Sequence, residues 1–246
     1  MTTKDRRVAA IATGQRGNFT RRQANAGGIS NATLRSRNQS GLLDKIGYHT
    51  FTSPLILPTA LSTLHALMLD IGDPVWACGP TAAALHQFDG FALGPPFHLL
   101  TERHRRLHRP GHVVHTCMDL PAIDRETSVG LALTSPTRTL IDLARFADAR
   151  QLTAALDGAL RDGLTTERFL HERICSLRTQ GRYGIPKLLD VILGSEAERG
   201  GHSWLERRFL RLGAEAGLPT PQTQVVLGRA GGRMVRVDCW FDDARV

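Results

Sequence analysis

The chain has 246 residues, of which 41% are hydrophobic and 22% are charged, and it carries a formal net charge of +8. This length predicts two or three domains, and the composition is typical of a globular protein. No apolar run approaches the roughly 18 residues that a membrane-spanning helix needs. The N-terminus also lacks the apolar core of a signal peptide, so we expect a cytoplasmic protein with no membrane partner.

Most of the positive charge lies in the first fifty residues. Nine lysines and arginines stand there against two aspartates, so this fifth of the chain carries +7 of the formal +8. A concentrated positive charge favours a nucleic-acid partner. The alternative is an arginine bias of the genome, in which case the charges would form a solvated face.

Capping residues and glycines predict three helices within the first fifty-five residues. Residues 5–13 predict a first helix that glycines end, and Thr20 with Gln23 fits a capping box for a second helix ending near Ala26. Two glycines then make a turn, and Ser30 caps a third helix over residues 31–39.

The chain after the third helix predicts a hairpin. Gly41 is placed as the glycine that follows a helix C-terminus. Residues 42–52 alternate around Gly47 and predict two short strands. Helix, turn, helix and hairpin in this order predict a winged helix-turn-helix domain over residues 1–55.

A winged helix-turn-helix domain places its third helix in the major groove of DNA. Arginine pairs there with guanine and asparagine with adenine, whereas the preceding helix and the wing contact phosphates. The candidates for the bases are Asn31, Thr33, Arg35, Arg37 and Asn38, and those for the phosphates are Arg21, Arg22, Lys45 and His49. The alternative is a small helical domain that contacts protein.

Residues 56–162 predict a mixed α/β middle domain. Helical periods or caps occur at 59–70, 81–88, 137–146 and 148–160, and strand patterns occur at 97–101, 112–118 and 127–134. Arg138 and Asp142 are four residues apart and are expected to form a structural pair.

A histidine- and arginine-rich stretch lies in this middle domain. It contains His98, Arg103, His104, Arg105, Arg106, His108, Arg109, His112 and His115. Three interpretations remain open: a metal site with Cys117 and Asp119, a second nucleic-acid surface, or a solvated basic loop. No standard metal-ligand spacing occurs, so we predict no metal site.

Three segments of the chain resemble the actinobacterial branch of AbiEi-type antitoxins: residues 19–51, the run WACGPTAAALHQFDGF and the run TSPTRTLIDLAR. The resemblance covers roughly residues 5–160. It implies a DNA-binding autorepressor of a type IV toxin–antitoxin system that binds repeats in its own promoter. It also implies a nucleotidyltransferase-like toxin as partner, acting without a stable complex, and weak self-association on DNA.

Residues 163–246 predict helices at 166–175, 185–193 and 203–216, followed by strands at 222–227 and 233–241. This segment resembles the start of a domain related to very-short-patch-repair endonucleases, of the PD-(D/E)xK superfamily. The resemblance implies Glu206 and Asp238 as remnants of a site that binds Mg²⁺. Alternatively, Glu206 completes a capping box with Ser203, and Asp238 pairs with a neighbouring arginine.

The expected third nuclease motif, Glu-x-Lys, does not occur before residue 246. We therefore expect a truncated or degraded nuclease segment with no catalytic residues and no cofactor. The predicted fold class is α+β, with a winged helix-turn-helix, a mixed α/β middle domain and an incomplete C-terminal α/β segment. The leading hypothesis is a DNA-binding antitoxin, and the alternatives are a Mg²⁺-dependent endonuclease and a protein-interaction module.

Overall fold

The computed structural model describes residues 2–105, 107–178, 184–198, 204–230 and 233–241, and these residues form an α+β fold. The helices are α1 (Thr3–Gly14), α2 (Arg21–Ala26), α3 (Asn31–Gln39), α4 (Ala60–Ile71), α5 (Gly79–Leu85), α6 (Pro136–Leu143), α7 (Ala149–Arg161), α8 (Glu167–Leu177), α9 (Ile185–Glu198) and α10 (Trp204–Glu215). The strands are β1 (Asn18–Thr20), β2 (Asp44–Lys45), β3 (Thr50–Thr52), β4 (Val75–Ala77), β5 (His98–Glu102), β6 (Val113–Cys117), β7 (Arg125–Ser128), β8 (Leu131–Thr134), β9 (Gln222–Ala230) and β10 (Arg233–Trp240).

The chain divides into two compact units, Met1–Phe146 and Ala147–Val246. The first unit contains a small sheet of order β1-β3-β2 and a mixed five-stranded sheet of order β6-β5-β4-β8-β7. None of the helices in the described ranges combines the length and the apolar character needed to cross a membrane.

The five-stranded sheet is built around the short strand β4. This strand runs antiparallel to β5 and parallel to β8, and all three of its residues are buried. Leu64 and Met68 of α4 pack with Phe97, Leu99 and Leu133 in one apolar core. Strands β1 and β3 of the small sheet contact α4, so this core also fixes the helix on which the small sheet rests.

The prediction of a single strand over residues 127–134 is wrong. The segment forms a hairpin, since β7 and β8 pair antiparallel with Ser128 opposite Leu131. Val129 and Gly130 make the turn with φ values of 46° and 76°, and a glycine in a strand pattern marks such a break. The short strands β1 and β4 were not among the predicted elements.

A buried ion network joins α6 to Asp124, the residue that precedes β7. Arg138 donates from Nη1 to Asp124 Oδ2 and from Nε to Asp142 Oδ2, each at 2.8 Å, which confirms the predicted pair of Arg138 with Asp142. Burial disfavours the charge of Arg138, but the carboxylates of Asp142 and Asp124 outweigh it and raise the pKa of the guanidinium.

The second unit contains helices α7 to α10 and the hairpin of β9 and β10. Leu152 and Leu156 of α7 are buried, as are Leu170 of α8 and Leu188 of α9. The two strands pair antiparallel, with an irregularity in register between Val235 and Arg236. The strands predicted at 222–227 and 233–241 therefore exist and form one hairpin.

We expect Asp124→Ala to destabilise the first unit by about 3–5 kcal/mol, because it leaves the buried Arg138 without one of its two carboxylates. The matched change Asp119→Ala removes an exposed carboxylate 3.8 Å from Arg125 and should cost less than about 1 kcal/mol. Denaturant-dependent hydrogen exchange of peptides from the first unit measures both. Equal losses of stability in the two variants would contradict the role of the network.

Candidate nucleic-acid interface

Residues 2–52 form a module of three helices and a small sheet, in the element order that the sequence predicts for a winged helix-turn-helix. Strands β2 and β3 form the wing, and β1 pairs with the other edge of β3. The module has its own apolar core, in which Val8 of α1 and Leu34 of α3 meet Phe19, Ile29 and Phe51. This core fixes the orientation of α3 relative to the wing.

The ends of α3 are set by local capping, as predicted. At the N-terminus the Ser30 hydroxyl accepts the backbone N–H of Thr33 at 3.2 Å. At the C-terminus Leu42 N–H donates to the carbonyl of Arg37 at 2.9 Å, and Gly41 N–H donates to that of Asn38 at 3.3 Å. Gly41 takes φ +72°, so the helix ends in a Schellman motif that glycine accommodates without strain.

The nine predicted DNA-binding residues differ in their exposure. Exposed are Arg22, Asn31, Arg35, Asn38, Lys45 and His49, and half-buried are Arg21, Thr33 and Arg37. Of the five candidates on α3, Thr33 and Arg37 are therefore the two that are only partly exposed. Thr33 lies beside the helix cap, where its hydroxyl is 3.0 Å from that of Ser30.

Arg37 is held by α1 rather than left on the exposed face. Its Nη2 donates to Asp5 Oδ1 at 2.7 Å. The N–H of Thr2 donates to the same carboxylate at 2.9 Å. The Thr2 N–H and then Arg37 lower the pKa of Asp5 to about 2. Arg37 thus ties α3 to α1, and this contact uses the guanidinium that base recognition would need.

Asn38 is also used within the module. Its Oδ1 accepts the backbone N–H of Lys45 on β2 at 2.9 Å. This contact holds the wing against the last turn of α3. An asparagine needs both its carbonyl and its amino group to pair with adenine, so this bond competes with base recognition by Asn38.

The phosphate candidates of α2 and the wing are neighbours. Arg21 N–H donates to the carbonyl of His49 at 2.7 Å, so the first turn of α2 adjoins the residue before β3. Arg22, which follows Arg21, and Lys45, four residues before His49, are both exposed. The stem of Lys4 lies over the turn between α2 and α3, within 3.4 Å of the Cβ position of Gly28.

A single buried carboxylate, Asp70, connects the wing to α4. Its Oδ1 accepts the N–H of His49 at 2.6 Å and faces the hydroxyl of Thr50 at 3.4 Å. Its Oδ2 accepts Nε of Arg109 at 3.1 Å. A Cβ added at Gly47 would lie 2.5 Å from Oδ1, so the wing approaches the carboxylate too closely for any larger residue.

The histidine- and arginine-rich stretch is largely part of the scaffold. Arg105 donates to the carbonyls of Ile71, Gly72 and Pro74 at the end of α4. Arg109 stacks over the ring of Tyr48, 4.7 Å from its centroid. These two arginines are therefore part neither of a solvated basic loop nor of a second DNA surface. Arg103, His104 and His108 are exposed. Arg106 lies outside the described residues.

Three histidines of this stretch pack against phenylalanine rings. His98 Nδ1 lies 3.2 Å from His115 Nε2, and both rings contact Phe146. Burial lowers the pKa of both histidines, and His112 stacks on Phe97. Within the described ranges, no three His, Cys, Asp or Glu residues are grouped so that they could hold a metal ion.

The two nuclease candidates lie on the elements that the sequence predicted for them. Glu206 is in α10 and Asp238 is in β10. The side chains of both residues lie outside the described part of the structure, as does Ser203, so the capping and pairing alternatives stay predictions.

Sequence reasoning missed two residues of this region, one exposed and one buried. Gln39 is exposed at the last turn of α3, and its position four residues after Arg35 could have identified it. Asp70 carried no signal, because its partners lie 20 to 39 residues away in sequence.

Comparisons with known proteins give relatives in Mycobacterium tuberculosis. An uncharacterized protein of that organism, Rv2248 in strain H37Rv and MT2308 in strain CDC 1551, is 30% identical over 189 residues, which are 77% of this chain and 67% of that protein. The crystal structure of RV2827C protein from the same organism matches with a TM-score of 0.53 at 17% identity, over 78% of each chain. The latter likeness shows the fold alone. No family model matches the chain.

We expect Asp5 to remain ionised at pH 3, because its folded pKa of about 2 lies below the ordinary value of 3.8. The tie between α1 and α3 is then fully present above pH 3.8 and is lost as the pH falls through about 2. Arg37→Gln should raise the pKa of Asp5, measured from its carboxyl carbon shift, whereas Arg35→Gln should not. An unchanged midpoint in Arg37→Gln would contradict the ion pair.

We expect Asp70→Ala to destabilise the first unit by about 3–5 kcal/mol, because it leaves Arg109 and the His49 N–H without their buried acceptor. Asp44→Ala removes an exposed carboxylate from β2 and should change stability by less than about 0.5 kcal/mol. Hydrogen exchange of peptides covering β3 and α4 measures the difference. Exchange that is as slow in Asp70→Ala as in the wild type would show that the carboxylate is dispensable.

Proposed function

The chain belongs to the family of the uncharacterized protein Rv2248 of Mycobacterium tuberculosis, and we propose that it is a sequence-specific DNA-binding transcriptional regulator of the antitoxin type. One observation carries this proposal. The third helix of a winged helix-turn-helix module presents Arg35 on an exposed face. The side chain of Arg35 has no hydrogen-bond or ion-pair partner among the described residues. An arginine at this place in this fold is suited to the major groove.

The charge of the module supports a polyanionic partner. Of the nine basic residues in the first fifty, Lys4, Arg6, Arg7, Arg16, Arg22, Arg35 and Lys45 are exposed. Phosphate contacts supply most of the sequence-independent affinity of such proteins and make it fall with salt. We assign Arg21, Arg22, Lys45 and His49 to the phosphate backbone, because they lie on the start of α2 and on the wing beside α3.

We propose repeats in the protein's own promoter as the target, and repression of that promoter as the outcome. This part of the proposal is supported by the resemblance of residues 5–160 to AbiEi-type antitoxins. A single small module binds weakly, and two modules on adjacent repeats gain affinity together. A nucleotidyltransferase-like toxin that acts without a stable complex is the corresponding partner.

The test is fluorescence anisotropy of the full chain on a duplex from upstream of its own gene, against a shuffled duplex of the same composition, over a salt series. We expect tighter binding to the native duplex. Arg35→Ala should weaken that binding by roughly 5- to 150-fold, since a bidentate arginine–guanine contact contributes about 1–3 kcal/mol of discrimination.

Arg150→Ala is the matched control, because it removes the same charge from an exposed position on α7 in the second unit. We expect it to leave the preference for the native duplex unchanged. Equal and weak binding to both duplexes by the wild type would reject the proposal and favour a protein-interaction module.

A further inference from the structure

The exposed side of α3 carries three long polar side chains in one row. Asn31, Arg35 and Gln39 are four residues apart, and all three are exposed. Residues at this spacing share one face of an α-helix. Eight residues at 1.5 Å each separate the ends of the row by about 12 Å. We refer to Asn31, Arg35 and Gln39 as the polar row.

The other long polar side chains of the helix have partners within the module. Arg37 is paired with Asp5, and Asn38 accepts the N–H of Lys45. In contrast, no residue of the described ranges forms a side-chain hydrogen bond or ion pair with a member of the polar row. The helix thus separates side chains that hold the module together from side chains that remain able to bind a ligand.

The small residues beside the polar row leave room for a groove. Ala32 and Ser36 lie on the same exposed side of α3, and their short side chains let the helix backbone approach the floor of the major groove. At about 3.4 Å per base pair, the length of the polar row corresponds to three or four base pairs. The row therefore matches the number of bases that one helix reads.

The chemistry of the polar row specifies which bases it fits. The guanidinium of arginine donates two hydrogen bonds to O6 and N7 of guanine, and the amides of asparagine and glutamine pair with N6 and N7 of adenine. Resting on the proposed DNA-binding function, we infer that the polar row reads a G·C pair with Arg35, flanked within about two base pairs by A·T pairs read by Asn31 and Gln39. This assignment adds Gln39 to the specificity residues and removes Arg37 and Asn38 from them.

The experiment is selection of bound sequences from a random duplex library by the full chain, followed by binding measurements on the selected duplex. We expect an enriched motif with a guanine between two adenines. Arg35→Ala should lose the preference at the central pair, and Asn31→Ala and Gln39→Ala should each relax one flanking pair. Each variant should bind the selected duplex about 5- to 150-fold more weakly.

Asn38→Ala and Arg37→Ala are the matched controls on the same helix. Both remove a polar side chain that holds α3 to α1 or to the wing. We therefore expect both to bind all duplexes more weakly, while the bases that they select stay those of the wild type. Circular dichroism of every variant separates a loss of folding from a loss of recognition, because a folded variant retains the helical spectrum of the wild type.

The outcomes distinguish this inference from the function on which it rests. If the wild type enriches a motif but Asn31→Ala and Gln39→Ala select it unchanged, or if Asn38→Ala alters it, the polar-row assignment is overturned while DNA binding stands. If the wild type neither enriches a motif nor binds any duplex, the proposed function itself fails.

Discussion

The N-terminal module depends on one buried carboxylate, that of Asp70 at the end of α4. It accepts hydrogen bonds from the backbone before β3 and from the guanidinium of Arg109. A wing of two short strands has too few hydrogen bonds and too little apolar area to hold its position alone. The carboxylate connects the wing tip to a helix that is packed on the five-stranded sheet, so the core of that sheet also fixes the wing.

The arginines show why a basic composition is a poor guide to a DNA surface. Arg105 covers the carbonyls at the end of α4, Arg138 lies between two carboxylates, and Arg37 pairs with Asp5. Each of these guanidinium groups has several donors in a fixed plane, which suits it to joining elements within a protein. Cations that remain exposed without a protein partner, such as Arg35, are the ones that a polyanion can reach.

Local signals determined how much of the fold could be predicted from the sequence. The caps at Thr20 and Ser30 and the glycine at 41 gave the bounds of α2 and α3 as they are observed, because capping involves residues within one turn. The three-residue strands β1 and β4 were missed because neither belongs to a longer alternating run, and they form by pairing with β3 and with β5 and β8. In the candidate site, Arg37 and Asn38 were assigned to bases since their partners, 32 and seven residues away, leave no trace in a helical pattern.

On α3, some side chains hold the module together and others stay exposed, and this division lowers the free-energy cost of ordering on binding. Binding orders side chains and loops, and each immobilised group opposes association. The capping of α3 at both ends, its ion pair to α1 and its bond to the wing fix the backbone before any ligand arrives. The cost of ordering then falls on the few exposed side chains alone. A recognition helix supported in this way can discriminate with three residues, because a wrong base leaves a fixed donor or acceptor unpaired rather than allowing the helix to shift.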